Sequence, residues 1–198
     1  MSTRAERIYT ADEYLAIERA SDHKSEFVNG RIYAMTGGTI SHTIIAGNIS
    51  GELRNRLRGG PCRAYQEGIR LKVSETGMYT YPDVVAICGP AQTEDSHRDT
   101  ILNPVVIFEV LPPSTEAYDR GVKFEHYTSL LSLREYILVS QDHVRIEKFV
   151  RHGDEWVFSA INDPEGTLKI ETLGCEIPLG EIYLDVQFPP VRRIRADG

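Results

Sequence analysis

Two acidic residues stand in stretches that are otherwise apolar. Glu109 interrupts the run "PVVIFEVL" (104–111), and Asp83 follows Pro82 in "YPDVVAIC" (81–88). Near-continuous apolar runs of this length read as central strands covered on both faces. Side chains alternate along a strand, so Glu109 shares a face with Ile107 and Leu111, and Asp83 with Val85 and Ile87. Burying an ionised carboxylate costs roughly several kcal/mol unless donors, a cation or a proton compensate it. Two such acids on two central strands therefore call for a shared partner. A hard divalent cation fits: magnesium is commonly held by one or two carboxylates, with waters and substrate phosphates completing its shell. The plainer readings are an Asp83 carboxylate in water at a strand entry and a structural salt bridge for Glu109.

Stepping outward, Pro112-Pro113 must end the Glu109 strand, and Ser114 or Thr115 is placed to cap the next helix. Ligands of open α/β sheets lie just beyond the carboxyl ends of strands. Glu109 is two residues from such an end, and Lys123 follows in a helix expected to pack back over the sheet. Its alternative role is an exposed pair with Asp119, four residues before it.

The remaining elements follow from pattern. Thr10 and Glu13 form a capping box for a short helix over 10–20, and Asn29-Gly30 marks a hairpin whose first strand carries Glu26. Ile45, Ile49, Leu53 and Leu57 trace the apolar stripe of a long helix over 39–58, with His42 on the same side. A lone histidine there is either a satisfied core residue or a group lining the cleft. "EGIRLKV" alternates Ile69, Leu71 and Val73 with Arg70 and Lys72, as a strand with one polar face does. Phe124, Tyr127, Leu130 and Leu131 give helical spacing after the prolines, and "REYILVS" is again a strand. Residues 39–140 thus read as helix, three strands, helix, strand. A hairpin turning at Gly153-Asp154, an extended run over 167–173 and a short element at "LGEIYLDV" complete the chain.

Asp83 after Pro82, "EVLPPST" (109–115), Asp119, Lys123 and Tyr127, with "HTIIAGNISGEL" (42–53) and "FVNGRIYAM" upstream, resemble a large bacterial restriction-endonuclease-like family of unknown function. That family lies within the PD-(D/E)XK nuclease superfamily, and the likeness covers about residues 9–150. The resemblance implies an α/β fold: a mixed central sheet flanked by helices over about 39–140. The helix and hairpin at 10–36 and a β extension at 144–186 would be additions to it, with a basic tail at 191–198. It further implies a metal-dependent endonuclease acting on DNA, with Mg2+ or Mn2+ held by Asp83 and Glu109. One position departs from the pattern. The signature places a lysine two residues after the second acid, where this chain has Leu111. Lys123 is then the expected replacement, with Lys72 or Arg70 next in order, while Glu26 and His42 are candidates to line the cleft. The substituted lysine also keeps open a second function, an inactive nuclease-like module that binds nucleic acid or protein.

At 198 residues the chain suits a single domain. No apolar run reaches the ~18 residues that span a bilayer, and no apolar segment follows the basic residues at the N-terminus, so a cytoplasmic protein is expected. A net charge of −7 argues against a non-specific coat on nucleic acid. Locally, however, Arg54, Arg56, Arg58, Arg63, Arg70 and Lys72 face a single acid, Glu67, so a basic patch or a solvated helix end lies here. Cys62, Cys88 and Cys175 are too scattered to suggest a disulfide framework or a metal knuckle and are read as inert thiols. The apolar C-terminal strands suggest a homodimer.

Overall fold

The computed structural model describes residues 7–35, 37–66 and 68–190. Glu67 and the basic tail at 191–198 lie outside them. A six-stranded mixed sheet forms the centre, in the order β11-β10-β9-β8-β6-β3. Its strands are β3 (Cys62–Gln66), β6 (Val84–Cys88), β8 (Val106–Leu111), β9 (Glu135–Ser140), β10 (Ile146–His152) and β11 (Glu155–Ile161). Only β8 and β9 run parallel, as the helical crossover between them requires.

Alternation assigns the two faces of this sheet. Val84, Ala86, Phe108, Val110, Ile137 and Val139 point one way, against Ile45, Ile49 and Leu53 of α2 (Ile40–Arg56). The ribbon of β12 (Thr167–Ile170) and β13 (Cys175–Pro178), with α5 (Leu179–Ile182), seals the same side. Val85, Ile87, Ile107, Leu111, Tyr136 and Leu138 point the other way, into a second core shared with Leu71, Val73 and Met78. Those three belong to a second sheet, ordered β2-β1-β5-β4-β7. It is built from β1 (Ser25–Val28), β2 (Arg31–Ala34), β4 (Arg70–Val73), β5 (Met78–Thr80) and β7 (Thr100–Ile101). Helix α1 (Ala11–Ala20) lies on it through Tyr14 and Leu15, which pack with Phe27 and Tyr79.

Local chemistry explains most boundaries. The Thr10–Glu13 capping box opens α1, and the Thr39 hydroxyl accepts from the His42 amide to open α2. Asn29 and Gly30 both have positive φ, 50° and 80°, the turn that a two-residue hairpin needs between Val28 and Arg31. After the prolines the backbone forms α3 (Glu116–Tyr118), a π-helical turn (Asp119–Lys123) and α4 (Phe124–Thr128) in unbroken succession. Thr115 takes the N-cap position, but its hydroxyl donates to Asp119 instead of capping the helix.

Three readings of the sequence are corrected. Six strands, not three, lie between α2 and the crossover, because β3, β5 and β7 are short or polar, and "EGIRLKV" joins the second sheet. Leu131 lies past the end of α4 and is 78% exposed, while Leu130 packs inward. Cys62 and Cys88, read as free thiols, form a disulfide, since antiparallel pairing of β3 with β6 sets them opposite each other. Cys175 is free.

Candidate active site

The antiparallel pairing of Val84 with Phe108 brings Asp83, the residue just before β6, beside the Glu109–Val110 segment of β8. Asp83 Oδ2 accepts the Val110 amide at 2.7 Å and lies 3.2 Å from His42 Nε2. His42 occupies the first turn of α2, which delivers it to the edge of the strand ends. Gly38 is required behind it: a Cβ there would stand 2.8 Å from His42 Nδ1.

Glu109 faces the second core, and its Oε1 is met from the crossover. Tyr127 Oη donates to it at 2.9 Å and Lys123 Nζ lies 3.2 Å away. Lys123 also lies 3.2 Å from Glu26 Oε1 and 3.2 Å from Asp119 Oδ1. Glu26 reaches the cluster from β1 of the second sheet, receiving hydrogen bonds from Thr80 and Tyr118. Asp119 is held by the Thr115 hydroxyl at 2.9 Å. Asp119, Lys123 and Tyr127 recur at every fourth residue, and all three are buried along the π-helical turn and α4. Such π turns are frequent at functional sites. A lysine from another element thus stands beside Glu109, and Leu111 packs in the core.

One buried ammonium therefore faces three buried carboxylates, with Asp83 beside them. Burial pushes the Glu109 carboxyl well above the ordinary range, Lys123 pulls it back, and Asp83, Asp119 and Glu26 push it further up. Asp119 is raised chiefly by burial as well, against the opposing pull of Lys123. For Lys123, burial opposes the charge, but Glu109, followed by Tyr127, Glu26 and Asp119, outweighs it and holds the amine well above its usual value. It is an ammonium at neutral pH, able to orient and stabilise anions but not to act as a base.

The donor set suits a hard cation in part. Among the described residues no three His, Cys, Asp or Glu side chains converge as a complete cage. Asp83 stands just before β6 and Glu109 on the adjacent β8, and their described protein hydrogen bonds use Oδ2 and Oε1. Asp83 Oδ1 and Glu109 Oε2 would be available as two hard oxygen donors of the type magnesium and manganese prefer. The remaining positions would fall to water and phosphate.

Of the residues singled out from sequence, Asp83, Glu109, Lys123, Glu26 and His42 meet in this one region. Lys72 and Arg70 do not join it: Lys72 pairs with Glu94 at 2.6 Å, and Arg70 donates to Tyr81 and Thr100. Thr80 and Tyr118 were not foreseen as partners of Glu26. A hydroxyl at the end of a short strand carries no signal until the two sheets are assembled.

The model of the Uma2 family, described as "Putative restriction endonuclease", matches residues 11–180. The chain belongs to the Uma2 family. Among relatives of this Uma2 chain, the Synechocystis sp. protein named "Uncharacterized protein slr1290" is 34% identical over 178 residues, covering 89% of this chain and 92% of the relative. "Uncharacterized protein sll1609" of Synechocystis sp. is 31% identical over 156 residues, 78% of this chain and 88% of its own. A crystal structure described as a putative nuclease belonging to DUF820, from Anabaena variabilis, superposes with a TM-score of 0.73 at 14% identity. It covers 88% of the Uma2 chain and 97% of its own. At that identity the match speaks for the fold, a restriction-endonuclease-like α/β architecture. Among the described residues no helix is long and apolar enough to cross a membrane.

Proposed function

We propose that the protein is a metal-dependent endonuclease that hydrolyses DNA phosphodiester bonds at the Asp83–Glu109 site. The observation that carries this reading is Lys123 Nζ at 3.2 Å from Glu109: an ammonium from the crossover stands beside the acid whose own strand lacks the signature lysine. Asp83 and Glu109 would hold Mg2+ or Mn2+. A bound ion of this kind polarises a phosphoryl oxygen and lowers the pKa of coordinated water toward neutrality.

The chain's own groups supply the rest. Lys123, fixed as an ammonium, orients the attacking water or offsets charge developing on the phosphate. Tyr127 holds the Glu109 rotamer, and the Val110 amide holds that of Asp83, so both carboxylates are aimed before substrate arrives. His42 stands within reach of the same acid at the start of α2, where amides and helix dipole favour an anion. Incubation with plasmid and linear DNA plus magnesium or manganese is expected to give cleavage, abolished in Asp83→Asn and Glu109→Gln. Activity surviving both substitutions would defeat the assignment.

The second reading is a non-catalytic module that binds nucleic acid or protein on the same scaffold. It is favoured by one feature: Lys123 and Tyr127 already meet Glu109 Oε1 from within the protein. Calorimetric titration with manganese discriminates the two. Binding that disappears in Asp83→Asn supports the enzyme, and its absence in the native protein supports the module. For assembly we propose a homodimer through β11, an edge strand of the central sheet that leaves Val157 and Phe158 half-exposed. Light scattering that gives a monomer at high concentration would remove it. A cytoplasmic location is proposed with these readings and is checked by fractionation of cells expressing the protein.

A further inference from the structure

The basic segment over 54–72 divides in two once the chain is folded. Arg56 is paired with Glu52, Arg70 with Tyr81 and Asp99, and Lys72 with Glu94. Arg54, Arg58 and Arg63 are exposed, and no acid pairs with any of them among the described residues. All three line one continuous groove between the C-terminal half of α2 and the edge strand β3. One section of it is bounded by Arg54, Arg58, Arg63 and Ala64, and the next by Arg54, Ser50, Ala64 and Tyr65.

This groove points at the acidic site. His42, Ala46, Ser50 and Arg54 follow one another at every fourth residue of α2, with Ala46 and Ser50 buried on the side turned to the sheet, and Arg58 stands just beyond the helix end. His42 lies 3.2 Å from Asp83, while Arg54 and Arg58 have no acid partner among the described residues. Along β3 the same direction holds: Arg63 pairs with Ile87 at the far end, and Gln66 pairs with Val84, next to Asp83. Between the cations and His42 the exposed helix surface is made small by Gly47 and Gly51, where a Cβ would meet nothing within 4 Å. From His42 to Arg54 is about 18 Å at 1.5 Å per residue, the length of roughly five nucleotide steps of 3.4 Å.

We propose that the groove between α2 and β3 binds the phosphate backbone of a DNA strand and leads it to the Asp83–Glu109 site. The proposal rests on the nuclease reading for its direction but not for its test. The reason for DNA is charge: on a protein of net charge −7, three arginines in one open groove, with no acid partner among the described residues, select a polyanion. Their regular spacing suits a chain of phosphates better than a single anion.

The test is fluorescence anisotropy of a labelled DNA duplex in EDTA, which permits binding without cleavage, at several salt concentrations from about 50 to 200 mM. The triple variant Arg54→Ala, Arg58→Ala, Arg63→Ala is expected to bind about ten-fold or more weakly. Its plot of log affinity against log salt should be shallower by about two to three units. A charge-matched control, Lys24→Ala, Arg134→Ala, Lys169→Ala, removes exposed cations elsewhere and should bind nearly as the native protein does. Arg63 also donates to the Gly60 and Cys62 carbonyls, so the three Arg→Lys substitutions serve as a second variant that should restore most of the binding. Groove-specific loss supports the proposal whether or not the protein cleaves DNA. Equal loss in the control, no loss in the groove variant, or no binding by the native protein overturns it. Tighter binding of a matched RNA duplex overturns the choice of DNA.

Discussion

Two clusters of charge flank the second sheet, one buried and one part-exposed, and the same residue types behave oppositely in them. In one, Glu26, Glu109 and Asp119 surround Lys123 alone, and Glu109 and Asp119 are pushed up, first by burial. In the other, Arg19 binds Asp99 and Asp95, and Arg70 bridges Tyr81, Thr100 and Asp99. Glu18 closes this second cluster, accepting from Tyr81 and the Ser25 amide. There Arg19 pulls the Asp99 carboxyl down to about 2, and it lowers Asp95 as well. Arginine's planar fork satisfies two oxygens at once, and the second cluster uses two arginines. It is a closed structural network tying α1 to the segment before β7. The first cluster is short of positive charge, which is the feature the proposed cation site would use.

The contrast predicts opposite signs for substitutions of similar chemistry. The largest effect is expected for Lys123→Met, which leaves three buried carboxylates without their cation and should cost about 3–5 kcal/mol by urea denaturation at neutral pH. A loss below 1 kcal/mol would show the cluster to be already neutral. Next, Glu18→Gln removes acceptor charge from a satisfied network and should destabilise by about 2 kcal/mol. Glu109→Gln should do the reverse, raising stability by about 1–2 kcal/mol in the same assay while abolishing cleavage. A drop in its melting temperature would break the comparison.

The smallest effect concerns Asp99, whose folded carboxyl sits near 2 against an ordinary 3.8. A depressed carboxylate stabilises the fold above its unfolded pKa and loses that contribution as pH falls through the folded one. Asp99→Asn should therefore cost about 1 kcal/mol at neutral pH, discounted for partial exposure, and the gap should close between about pH 4 and pH 2. Melting curves across that range check it.

Much of this was legible in the chain. The apolar runs around Asp83 and Glu109 announced central strands, and a two-residue period set each acid on a face with apolar neighbours of its own strand. The capping box, the Asn29-Gly30 hairpin and the α2 stripe were equally plain, because each is local chemistry within a few residues. The Cys62–Cys88 bond was not legible, nor was the separation of β4 into another sheet. Both depend on which strands pair, and short strands such as β5 and β7 carry too few residues to show a period. Lys123 was marked by its place in the chain, but its partners were not. An exposed i,i+4 pair with Asp119 fitted the spacing as well as the buried cluster that the π-helical turn creates.

By itself the sequence determined the central strands, the position of the two acids on them, the absence of lysine at position 111 and the long helix beginning near His42. Only the tertiary structure decided that Lys123 meets Glu109, that Glu26 joins them from another sheet, that Arg70 and Lys72 are spent elsewhere, and that Arg54, Arg58 and Arg63 line one groove. The physical reason is range. Backbone periodicity and capping act over a few residues and leave their mark in local order, whereas charge neutralisation acts through space between groups that only packing brings together.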